Sequence, residues 1–90
     1  MDKKEAHSIL SEHLTHYRTL SYSELSTWVL EGRIDVLEIV APSGTRYQIE
    51  IQCFWDDKPN SDVRVTASVG TFLPVTDSFI LSPDGKFVGE

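Results

Sequence analysis

The chain has a single cysteine, so no disulfide can form within it. It has no apolar run near the roughly 20 residues that a membrane-spanning helix needs. Basic residues are scarce: eight Lys and Arg face fourteen Asp and Glu, for a net charge of −6. Only Lys3 and Lys4 are adjacent, whereas a phosphate-binding surface needs clustered cations. Nucleic acid and membrane are therefore not expected partners. The five glycines are dispersed, which leaves no glycine-rich phosphate loop, and no serine sits in a Gly-x-Ser-x-Gly elbow. The polar start, Met1-Asp2-Lys3-Lys4-Glu5, lacks the apolar core of an export signal. With a lone cysteine on an apolar strand face, it points to a reducing, cytoplasmic setting.

What is present is one domain's worth of patterned sequence. Ninety residues, 40% of them apolar, suffice for one modest core without a metal or disulfide staple. The most informative stretch is Tyr47 to Asp57. Tyr47, Ile49, Ile51, Cys53 and Trp55 alternate with Gln48, Glu50 and Gln52. Side chains of a strand point alternately to opposite faces, so this stretch reads as a long, half-buried antiparallel strand at the centre of a small sheet.

Before it lie two helical patterns. Ala6, Ile9, Leu10, Leu14 and Tyr17 recur every three or four residues behind a possible Asp2 cap, predicting a helix over about 3–17. Ser21-Tyr22-Ser23-Glu24 is a capping box, with Leu20 and Leu25 spaced as a hydrophobic staple. This second helix, about 21–31, buries Tyr22, Leu25, Trp28 and Val29 and stops at Gly32. The short link between the helices suggests an antiparallel pair.

Strands are expected at about 34–41, 45–56, 62–70, 76–82 and 86–89. Leu37, Ile39 and Ala41 form the inward set of the first. Val63, Val65, Ala67 and Val69 alternate with Arg64, Thr66 and Ser68 in the third. Ala41-Pro42-Ser43-Gly44 and Ser82-Pro83-Asp84-Gly85-Lys86 read as tight turns. Phe72 and Leu73 are expected to cover an edge of the core. The order ααββββ, with a possible short fifth strand, implies an α+β domain: both helices on one face of a four- to five-stranded antiparallel sheet.

No residue cluster reaches a chemical signature. Glu12-His13-Leu14-Thr15-His16 has the wrong order for a zinc-protease helix. A Cys53–histidine pair is disfavoured because the thiol points into the core. Asp56, Asn60 and Asp62 have part of a calcium-loop spacing, but Lys58 occupies a ligand position and no glutamate closes the set. No cofactor and no metal are expected.

The best candidate is an aromatic–acidic cluster. Phe54 lies on the face lined by Gln48, Glu50 and Gln52, and Trp55, Asp56, Asp57 and Asp62 gather at the strand end. An exposed aromatic beside carboxylates suits a protein-binding patch. The leading expectation is a non-enzymatic protein-binding module, either an acidic inhibitor or immunity-type protein or a homodimer. The alternative is a small hydrolase or ligand-binding domain with carboxylates in a pocket between helices and sheet.

Tyr47-Gln48-Ile49-Glu50-Ile51-Gln52, Phe54-Trp55-Asp56-Asp57-Lys58-Pro59, Asp77-Ser78-Phe79-Ile80 and Ser82-Pro83-Asp84-Gly85-Lys86-Phe87-Val88-Gly89-Glu90 together resemble a family of short bacterial proteins of unknown function. The resemblance implies a stand-alone cytoplasmic bacterial domain and assigns no catalytic residue. The stretch from Leu20 to Leu25 is similar to the first helix of some helix-turn-helix domains, but no basic recognition helix follows.

Overall fold

The computed structural model describes residues 2–70 and 73–90. Helices α1 (Lys3–Tyr17) and α2 (Tyr22–Glu31) precede strands β1 (Ile34–Val40), β2 (Arg46–Trp55), β3 (Val63–Val69) and β4 (Val75–Leu81). The strands form one antiparallel sheet in the order β1-β2-β3-β4. This is the α+β, ααββββ architecture. No described helix is long and apolar enough to cross a membrane.

Local chemistry sets the helix ends. The Asp2 carboxylate accepts the free N–H of Glu5 at 3.1 Å. Both halves of the Ser21–Glu24 capping box form, and Gly32 takes the left-handed conformation that ends α2. All five periodic apolar residues of α1 are buried, whereas α2 fully buries only Leu25. Tyr22, Trp28 and Val29 are half-buried against the core. The expected antiparallel pairing of the helices is secondary: α1 rests on β3 and β4, and α2 on β2 and β3. They touch where Tyr17 stands edge-on to Trp28, ring centroids 5.4 Å apart.

Alternation then sorts the sheet. Ile49, Ile51, Val63, Val65 and Ala67 face the helices and are fully buried. Among the described residues, no helix or second sheet covers the opposite face. Its rows run Ile34-Gln52-Thr66-Ser78 and Val36-Glu50-Ser68-Thr76, with Phe54-Arg64-Ile80 at one end.

Two expectations are corrected. Residues 86–89 do not form a fifth strand; a single bridge joins Phe87 to Leu81. Arg18 explains why: it stacks on Phe79 and Phe87, 4.9 and 4.8 Å from the ring centroids, and pairs bidentately with Glu90 at 2.7 Å. These contacts draw the end of the chain toward α1, so that it meets the β4 edge only around Phe87 and Val88. Leu73 does not cover the core, being 72% exposed, and Phe72 lies outside the described residues.

Candidate functional site

Of the eight residues expected at the site, six are divided between two grooves, and Asp56 and Asp62 line neither. Gln48 and Glu50 line a cavity of about 540 Å³ with Arg46, Ser68 and Gly70, where the start of β2 overhangs the end of β3. Gln52, Phe54, Trp55 and Asp57 line a second, of about 500 Å³, beside Arg33 and Ile34. Glu50 and Phe54 are four residues apart on one strand, about 13 Å at the usual rise. Both cavities are open surface grooves on or at the rim of the bare sheet face.

Phe54 stays exposed because its pairing is regular: it lies opposite Arg64 with no bulge to turn it inward. Trp55, one residue on, points to the helix side and is half-buried against the core. Asp56 is not a free carboxylate. Arg64 donates to it at 2.8 Å and also reaches the Ser78 hydroxyl at 3.1 Å. Asp62 immediately precedes β3, and its carbonyl accepts the Asp56 N–H at 2.8 Å, which closes the acidic loop. Asn60 takes a left-handed conformation there with φ 68°, one that asparagine tolerates. Among the described residues, Glu50, Asp57 and Asp62 form no ion pair.

The arrangement does not match a carboxylate pocket between helices and sheet: Glu50 is on the bare face and Asp57 on the loop. The carboxylates that do face the helix layer are Asp35 and Asp77. They occupy the two edge strands, at opposite ends of the row Asp35-Ile51-Ala67-Asp77. Asp35 accepts from the Tyr17 hydroxyl at 2.9 Å and from Arg33 at 3.3 Å. Arg33 in turn lies 3.9 Å over the Trp28 ring. Burial, then the bond to Asp35, drives the Tyr17 phenol well above its ordinary range. Simple alternation from Leu37 and Ile39 places Asp35 inward, so the signal for this cluster was in the sequence. Its partner Tyr17, 18 residues away on a helix, was not.

No family model, curated protein or solved structure matches the chain. Geometry alone therefore carries the functional reading. Among the described residues no three His, Cys, Asp or Glu side chains come together as a metal-holding group.

Cys53 is only 8% exposed, and burial, with the Asp35 charge adding to it, pushes its thiol up to about 11. A thiolate is the reactive form, so this thiol is inert near neutrality. The shift also makes stability depend on pH. The folded pKa is raised above the unfolded one, so the contribution is complete below pH 9 and is lost as pH rises toward 11. A two-unit shift corresponds to about 2–3 kcal/mol when fully expressed. The Tyr47 phenol, pushed up to about 12 chiefly by its bond to Glu5, adds a loss at still higher pH. Urea unfolding from pH 8 to pH 10 should show wild type losing stability from pH 9 and a Cys53→Val variant losing less. Equal slopes would remove the thiol as the cause.

Proposed function

We propose that the protein is a non-enzymatic protein-binding module that docks a basic partner on the bare face of its sheet. The observation that supports this reading best is the make-up of that face. Ile34, Val36, Val40 and Phe54 stand 50, 52, 61 and 43% exposed on it, around the unpaired carboxylate of Glu50 and beside that of Asp57. Apolar side chains grouped within a polar, charged frame are the usual composition of a protein-docking patch. With a net charge of −6, the acidic rim would steer a cationic partner and fix its orientation. An acidic inhibitor or immunity-type protein has this character. The resemblance to short bacterial proteins, with a cytoplasmic setting, is compatible with the same role.

The charge-reversal test must avoid Asp56, whose change would break the internal pair with Arg64. Wild type and a Glu50→Lys, Asp57→Lys variant are used as baits in bacterial lysate at low and at high salt. A bound basic protein, identified by mass, released by salt and lost from the folded variant is the expected result. Capture that survives both the charge reversal and high salt would overturn the reading.

A further inference from the structure

Strand β1 is chemically out of place. Five of the seven residues in Ile-Asp-Val-Leu-Glu-Ile-Val are large aliphatics, yet none is fully buried. In β3 the residues alternate between buried and half-buried along the whole strand. Neither helix rests chiefly on β1, and its outer edge has no neighbour in the sheet.

The pairing pattern identifies what that edge offers. Ala41 donates to the Thr45 carbonyl at 2.9 Å across the hairpin. Antiparallel residues alternate between bonded and non-bonded pairs, so the odd residues of β1 bond to β2 and the even ones point away. The free edge therefore presents the N–H and C=O groups of Ile34, Val36, Glu38 and Val40. It has no proline and no bulge.

The other edge of the sheet is partly covered. On β4 the Ser78 N–H is taken by the Asp77 carboxylate at 2.8 Å, and the Ile80 carbonyl by the Val88 N–H at 2.9 Å. Ser82, just past the strand, is bonded to Lys86 at 2.9 Å. A two-fold contact through the open edge closes on itself, and the partial cover on β4 disfavours growth from the other side.

We infer that β1 pairs antiparallel with β1 of a second copy, with Leu37 opposite Leu37 on the two-fold axis, joining the sheets into one of eight strands. This register brings all seven residues into pairing. It sets Ile34 against Val40, and Val36 against Glu38, and satisfies every outward N–H and C=O. A shift of two residues one way opposes Glu38 to Glu38; the other way leaves Val40 unpaired. Asp35 is an inward charge of the type that deters edge pairing. Here Tyr17 and Arg33 already hold its carboxylate, and in this register it meets Ile39 of the second copy, not another acid. The dimer stands independently of the partner proposed for the bare face and leaves that face open.

Sedimentation of the whole chain from about 1 µM to about 500 µM should show the mass rising from 10.2 kDa toward twice that value. The register gives a test by charge sign at one exposed position. Val36→Glu places like charges opposite each other twice and should abolish the dimer. Val36→Lys places opposite charges there and should keep or tighten it. Leu37→Cys should cross-link to its own copy, since facing non-bonded residues have Cα atoms about 4.5 Å apart. Val40→Cys, more exposed than position 37 but remote from its copy, should not. A folded monomer at every concentration, or a dimer indifferent to the sign of charge at position 36, overturns the inference. A monomer that still captures a basic protein sinks the dimer alone; a dimer that captures nothing sinks the docking role alone.

Discussion

Ile51→Ala is expected to remove about 3–5 kcal/mol of folding stability, the upper part of the range for emptying a buried isoleucine site. Ile51 is fully buried on the central strand, under the helices. Its neighbours in the row cannot refill the space: Ala67 on one side is small, and Asp35 on the other is held by Tyr17 and Arg33. A chain of this length has about 5–13 kcal/mol in total. The variant would keep only part of that, with a fall in Tm of roughly 15–30 °C. Val36→Ala removes the same kind of carbon from an exposed site and should change stability by under about 0.5 kcal/mol. Urea unfolding of both variants tests the contrast. A loss below about 1 kcal/mol for Ile51→Ala would mean that the sheet is not organised around β2.

Why β2 was legible, and other features less so, follows from the range of the interactions. The period-two alternation of Tyr47 to Trp55, the Ser21–Glu24 box and the two Pro-x-Gly turns are written within ten residues each. The turns even share one construction: Gly44 and Gly85 take φ 89° and 85°, and the first residue of each bonds to the fifth at 2.9 Å. The bare face was half-legible. Alternation puts Gln48, Glu50, Gln52 and Phe54 on one side, but only the placement of both helices on the other side leaves them exposed. What decided the rest is non-local. Arg18 reaches Glu90 from 72 residues away and turns an expected strand into a single bridge. Arg64 takes up Asp56 across a hairpin, removing one of the acids expected to bind a partner. The aliphatic character of β1 was plain in sequence, but not that its edge is open while that of β4 is partly covered.

Asp35 and Tyr17 provide the second large effect, because they form a nearly enclosed polar pair whose halves depend on each other. Tyr17→Phe leaves the Asp35 carboxylate with Arg33 alone at 3.3 Å. An unsatisfied buried acceptor costs about 1–3 kcal/mol; with the Asp35 side chain 25% exposed, about 1–2 kcal/mol is expected. Asp35→Leu orphans the Tyr17 hydroxyl instead, but it also extends the apolar row of Leu37 and Ile39, so its net cost should be smaller. Removing both polar groups leaves no orphan, and the double variant should be close to wild type or more stable. The cycle should therefore give a coupling of at least about 1 kcal/mol between the two sites. A coupling near zero would show that the 2.9 Å contact does not hold the edge of the core. The same substitution probes the edge itself. Asp35 is the one charge of β1 that points inward, so Asp35→Leu should move the onset of self-association to lower concentration. Thus one aspartate would both anchor β1 to α1 and limit how tightly two copies pair.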